Sequence, residues 1–104
     1  MSFDEMGRFS DPALLILISL AAGPRHGYGM MEEIAAFSGV ELGPGTLYGA
    51  LARLEKAGWI APLPLEERRR PYRLTPAGKR ALQQRLRSLH TIAKTAQSRL
   101  AGAA

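Results

Sequence analysis

Gly43-Pro44-Gly45-Thr46-Leu47-Tyr48-Gly49-Ala50-Leu51-Ala52-Arg53-Leu54-Glu55-Lys56-Ala57-Gly58 is the stretch on which the fold turns. Leu47, Leu51 and Leu54 recur at i, i+4 and i+7, the spacing of one buried face of a helix. Tyr48, Ala52 and Arg53 lie away from that face. Gly43-Pro44-Gly45-Thr46 opens the helix, and Ala57-Gly58 stops it, with Gly58 suited to a left-handed backbone. A short helix with an apolar inner face, an open N-terminus and a Tyr and an Arg on its outer face has the makeup of a recognition helix.

Upstream, Met30, Ile34 and Phe37 mark one face of a helix over 30–37, introduced by Gly27-Tyr28-Gly29 and ended by Ser38-Gly39. Only Val40-Glu41-Leu42 separates it from the third helix, so the two form a tight helix-turn-helix. Further upstream, Ser10-Asp11-Pro12 is a capped start for a helix over 13–22, which Gly23-Pro24 ends. That run is too short for a bilayer, which takes about 20 apolar residues, and Asp4, Glu5 and Asp11 speak against a signal peptide. It reads as a core helix.

Downstream, 59–63 and 70–74 read as two strands of a hairpin around a charged turn, with Pro71 implying an exposed edge or a bulge. Trp59, the single tryptophan, reads as core. Thr75-Pro76 then caps a long fourth helix over 77–100, and residues 101–104 are expected to fray. The fold class expected is mainly α with a small β-hairpin: an N-terminal arm over 1–10, a winged helix-turn-helix over 11–75, and a dimerisation helix over 76–104.

Charge points to a polyanionic partner. Residues 1–65 hold four basic groups against seven acidic, and residues 66–104 hold ten against two. A recognition helix fits a major groove about 12 Å wide, and a basic hairpin beside it reaches phosphates. The candidate contacts to double-stranded DNA are Thr46, Tyr48 and Arg53 on the third helix, Arg68, Arg69 and Arg70 in the hairpin, and Tyr28. Each has a structural alternative: packing for Tyr48, packing between the helices for Tyr28, an ion pair with Glu32 or Glu33 for Arg53, and a solvated loop neutralised by Glu66 and Glu67 for the three arginines.

Leu82, Leu86, Leu89, Ala93, Ala96 and Leu100 are spaced alternately four and three, a heptad seam along the fourth helix. A helix from Pro76 to Leu100 is about 37 Å long, while a globule of this size has a radius of gyration of about 13 Å. The helix therefore projects, and a second copy is the expected cover for the seam. The alternative is packing on the first helix of the same chain. Phe3, Met6 and Phe9 either form an arm on the partner or stay unordered.

Other chemistry finds no constellation. The chain has no cysteine, which excludes disulfides and thiolate metal sites and suits a cytoplasmic protein. Its two histidines, His26 and His90, are too few for a metal site; His26 reads as part of the start of the second helix and His90 as exposed. No catalytic or nucleotide-binding motif is present, so neither an enzyme nor a cofactor is expected, and no membrane association. The alternative to DNA binding is a winged-helix module for protein association.

Three motifs in order resemble the PadR-like transcriptional regulators: His26-Gly27-Tyr28-Gly29; Gly45-Thr46-Leu47-Tyr48 with Leu51 to Ile60; and Arg69-Arg70-Pro71-Tyr72-Arg73-Leu74-Thr75-Pro76-Ala77-Gly78. The resemblance covers roughly residues 11–82. It implies a winged-helix repressor that binds a pseudo-palindromic operator as a homodimer through the C-terminal helix, helped by the first. On the family pattern Thr46 and Tyr48 match recognition-helix positions, and Arg69 and Arg70 the basic pair at the second wing strand. Family members often respond to small aromatic or hydrophobic compounds, which implies an effector, although the fourth helix offers no aromatic wall. The sequence departs from the pattern at Gly49, where Pro is frequent, at Pro71, which implies a shorter wing strand, and at Glu66 and Glu67 near the wing tip. With one C-terminal helix it is similar to the short subfamily.

Overall fold

The computed structural model describes residues 11–103; Phe3, Met6 and Phe9 lie outside them. Asp11, in an extended conformation, accepts the Leu14 N–H on Oδ1 at 3.2 Å and starts α1, Pro12–Ala21. Pro12 sits at the first position, where its missing N–H costs nothing. Ile16, Leu17, Ser19 and Leu20 are buried, and α1 touches the two helices that follow it, the wing and the last helix. Its near-continuous apolar sequence follows from this central position.

Two residues, Arg25–His26, form β1, a strand that the sequence did not announce. Helix α2, Gly27–Ser38, starts earlier than the Met30–Phe37 periodicity suggested, because His26 caps it: its Nδ1 accepts the Gly29 N–H at 3.2 Å. Met30 and Ile34 are fully buried, whereas Phe37, on the last turn, is exposed. Gly39 ends the helix at φ 74, and its N–H is donated to the Ala35 carbonyl. Helix α3, Pro44–Lys56, buries Leu47, Ala50, Leu51 and Leu54 against this core, and Gly58 follows at φ 77 as expected.

Strands β2, Ile60–Pro62, and β3, Pro71–Leu74, form the wing, with β1 on the far side of β3 in an antiparallel sheet ordered β1-β3-β2. The expected hairpin is thus the larger part of a three-stranded sheet. Arg25 pairs with Tyr72 and His26 with Pro71, while Ile60, Ala61 and Pro62 face Leu74, Arg73 and Tyr72. Pro71 is buried in the central strand, not on an exposed edge, and β3 is the longest of the three strands. It is tolerated as the first residue of its strand, where no ladder donor is needed, and its carbonyl accepts the Leu63 N–H at 2.8 Å. At the tip, Glu66 and Arg69 exchange both backbone hydrogen bonds at 2.8 Å around Glu67 and Arg68, whose φ values are 46 and 71. Two successive left-handed residues make the primed turn that matches strand twist.

Trp59 is not core: it is 37% exposed, while Ile60 beside it is 1% exposed. Side chains alternate across a strand, and Ile60 takes the inward position. Trp59 instead lines a shallow cleft with Leu14, Leu17 and Ala81, and its carbonyl accepts the Thr75 N–H at 3.0 Å. Thr75 also donates its hydroxyl to the Gly58 carbonyl at 2.6 Å and accepts the Gly78 N–H at 3.0 Å, capping α4, Pro76–Gly102. A Cβ on Gly78 would stand 2.0 Å from the Trp59 carbonyl oxygen, so only glycine allows this approach.

Leu82 is the last buried residue of α4; residues 83–103 are all exposed. The radius of gyration is 15.8 Å and the longest dimension 56 Å, well beyond the ~13 Å expected of a compact chain of this length. The fourth helix projects.

Candidate nucleic-acid interface

Helix α3 begins with Gly43 and has no side-chain cap, so its first amides lack the side-chain acceptor that α1, α2 and α4 each have. Such amides favour an anion. Thr46 is exposed in that first turn, and Arg53 is exposed further along the helix. Neither Glu32 nor Glu33 pairs with Arg53 among the described residues; Glu33 pairs with Arg25 instead.

Tyr48 is 53% exposed and lies over the start of α2, where a Cβ on Gly27 would come within 2.7 Å of its hydroxyl oxygen. Tyr28 is also exposed, at 57%, and the Arg69 guanidinium stands 5.8 Å from its ring centroid, within cation–π range. Tyr28 keeps most of its ring exposed, while Tyr48 covers Gly27 at the start of α2 with the end of its ring and leaves the rest exposed. Around them opens a cleft of about 320 Å³ that brings Tyr28 and Tyr48 together with Arg68, Arg69 and Arg70. Five of the seven candidate contacts therefore converge, while Thr46 and Arg53 are exposed on α3 outside the lining of the cleft.

The three arginines differ. Arg70 Nη1 donates to the Leu63 carbonyl at 2.7 Å and ties the wing together across its two strands. Arg69 Nη1 faces His26 Nε2 at 3.3 Å. Arg68 stands at the tip in the left-handed conformation. Glu66 and Glu67 form no ion pair with them among the described residues. His26, Gly27 and Leu65 also line the cleft and were missed as site residues. His26-Gly27 lay within a motif already noted, but its role as a helix start concealed its position against the wing. Behind the cleft, burial and then the Glu55 carboxylate push the Tyr72 hydroxyl above its usual pKa, against a smaller opposing effect of Arg70.

A second surface is the free part of α4. Leu86, Leu89 and Leu100 are exposed with Ala93 and Ala96, while Leu82 belongs to the chain's own core. Ile92, 64% exposed, extends this surface and was missed, although its place three after Leu89 and four before Ala96 was the signal. The helix carries Lys79, Arg80, Arg85, Arg87, Lys94 and Arg99 and no acidic residue. A third feature is a cleft of about 430 Å³ between the end of α1, β3 and the first turns of α4. No group of three potential metal ligands occurs among the described residues, and none of their helices is long and apolar enough to cross a membrane.

A sequence model of the transcriptional regulator PadR-like family matches residues 16–84. A protein of transposon TN4556 from Streptomyces fradiae is 48% identical over 87 residues, which cover 84% of this chain and 24% of that protein. The chain thus spans about a quarter of that relative's length. A transcriptional regulator of Mycobacterium tuberculosis is 38% identical over 87 residues, 78% of each chain. Among solved structures, a PadR family transcription regulator from Clostridium difficile superposes with a TM-score of 0.78 at 28% identity, covering 86% of this chain and 97% of that one.

Proposed function

The chain belongs to the PadR-like family of transcriptional regulators, and from that premise we propose that it is a repressor that binds a pseudo-palindromic operator as a homodimer. The observation that carries this reading is the convergence of Tyr28, Tyr48 and the cationic wing on one cleft beside the uncapped start of α3. Tyr48, Thr46 and Arg53 read the major groove, while Arg68 and Arg69 hold the flanking backbone. Arg70 acts by fixing the wing's shape.

The homodimer reading rests on the free length of α4. In proteins most helical stability comes from packing an apolar face, and beyond Leu82 this helix has none to pack on within its own chain. Burying Leu86, Leu89, Ile92 and Leu100 against a second copy would contribute at most about 1.5–3 kcal/mol each. In a two-fold pair the recognition helices stand about one DNA turn, ~34 Å, apart. The protein then acts in the cytoplasm, on DNA.

A small hydrophobic effector is proposed for the cleft at the root of α4. Leu20, Leu74, Leu82 and Leu86 give it apolar walls, and Arg73 and Lys79 add positive charge. A ligand there touches both the wing and the dimerisation helix. The deciding experiment is fluorescence anisotropy with the duplex upstream of the gene and a scrambled control at about 50 and 200 mM salt. Preference for the upstream duplex that survives the higher salt is expected. Equal binding to both duplexes, lost with salt, would overturn the reading in favour of a protein-association module.

A further inference from the structure

His26 and Arg69 meet in a way that a hydrogen bond between them cannot explain. His26 Nδ1 accepts the Gly29 N–H at 3.2 Å, so its lone pair is occupied in capping α2. A neutral imidazole with an accepting Nδ1 carries its proton on Nε2. The atom opposite Nε2, at 3.3 Å, is Arg69 Nη1, which belongs to a group with donors only. Two donors therefore point into one space at the mouth of the cleft. The cleft lining, which also includes Tyr28, Tyr48, Arg68 and Arg70, contains no carboxylate, and neither Nε2 nor the Arg69 guanidinium has an acceptor among the hydrogen bonds of the described residues, so an anion is the partner that suits both.

We propose that His26 and Arg69 form a two-donor clamp for a single phosphate of the DNA backbone, which makes His26 a contact residue as well as a helix cap. The inference rests on the DNA-binding reading and names a contact within that surface. One phosphate oxygen accepts Nε2–H and another the guanidinium, while Tyr28 beneath Arg69 holds the guanidinium plane in place. The pairing of β1 with β3 sets His26 opposite Pro71, two residues from Arg69, and so brings the imidazole to the base of the wing tip.

His26→Asn separates the two roles. Asparagine is a favoured N-cap whose side-chain oxygen replaces Nδ1, and it has nothing in place of Nε2. The expected result for His26→Asn is unchanged thermal stability with DNA affinity lowered about tenfold. Its salt slope should match wild type, because a neutral donor releases no counterion, whereas Arg69→Ala lowers the slope by about one. The double variant should bind about as weakly as Arg69→Ala alone, since both groups serve one phosphate. Wild-type affinity in His26→Asn, or full additivity in the double variant, would overturn the clamp.

Two readings on the wild-type protein are independent of DNA. Long-range proton–nitrogen NMR should show the His26 proton on Nε2; a proton on Nδ1 would overturn the inference. Inorganic phosphate should shift the His26 ring resonances in wild type and leave them unmoved in Arg69→Ala. Equal shifts in both would mean an adventitious ion only and would also overturn it. Loss of upstream-duplex preference in wild type, with the phosphate response intact, would count against the operator reading and leave the clamp standing.

Discussion

Gly78→Ala and Gly49→Ala make the same chemical change in two helices of this chain and should move stability in opposite directions. At Gly78 the added Cβ would lie 2.0 Å from the Trp59 carbonyl oxygen and 2.8 Å from its carbon, both backbone atoms that no rotamer change can move. Relief requires the start of α4 to retreat from the wing by more than 1 Å, roughly, to regain an ordinary contact. That retreat stretches the Thr75 N–H bond to the Trp59 carbonyl and the Gly78 N–H bond to Thr75. Losing the cap costs about 1 kcal/mol and the other bond about the same, and overpacking adds about 1–3 kcal/mol. The better helix propensity of alanine returns about 1 kcal/mol, leaving a net loss of about 2–4 kcal/mol. For a chain of this size that lowers Tm by roughly 8–32 °C. At Gly49 the Cβ meets only Arg53 Nη1, at an ordinary 3.7 Å, so the propensity gain stands alone and stability rises by about 0.5–1 kcal/mol. Thermal and urea unfolding followed by far-UV circular dichroism measure both. A Gly78→Ala protein as stable as wild type would refute the account of how α4 is anchored.

Tyr48→Ala should leave Tm within a degree or two, roughly, since the ring is half exposed, and weaken operator binding about tenfold or more by anisotropy. Leu86→Asp should give monomers in sedimentation velocity at concentrations where wild type is dimeric, because it sets a charge in the apolar seam; a surviving dimer would move the interface elsewhere. Arg70→Ala should loosen the wing through loss of its bond to the Leu63 carbonyl, seen as faster amide exchange at Leu63 and Glu66, while Arg68→Ala leaves those amides unchanged. Tyr72 has a folded-state pKa raised by burial and by Glu55, so its contribution to stability is fully present below the unfolded value of about 10 and is lost as pH rises through the folded value. Tyr72→Phe should accordingly flatten the fall in stability above about pH 10 measured by urea unfolding.

The helices were legible because each carries a periodic apolar face long enough to register, and because Asp11-Pro12, Gly58 and Thr75-Pro76 mark their ends with residues whose caps the structure shows in place. β1 was not legible. Two residues hold no alternation, and Arg25 and His26 become a strand only because β3 offers its free edge. Trp59 misled for a related reason: residue type argued for burial, but the register of β2 gave the inward position to Ile60. Pro71 was read by its missing donor, which matters within a strand and not at its first residue.

The site divides along the same line. That Tyr48 and the wing arginines share one face follows from the order of elements alone, because a helix-turn-helix followed by a hairpin leaves few arrangements. Which arginine does what depends on contacts between residues far apart in the chain. Arg70 is held by Leu63, and Arg69 is set against a histidine 43 residues earlier. In α4 the seam is continuous in sequence but not in role. Leu82 is 7% exposed within its own chain and Leu86 is 46% exposed, so one turn separates a core residue from a surface one. A heptad pattern reports that a face is apolar and is silent on which chain covers it. Leu82 joins the buried core and Leu86 does not, a difference that only the packed chain reveals. Leu86 is the first exposed residue of the seam and also lines the cleft at the root of α4, so on the homodimer reading proposed above a partner helix seated on the seam would lie beside that cleft.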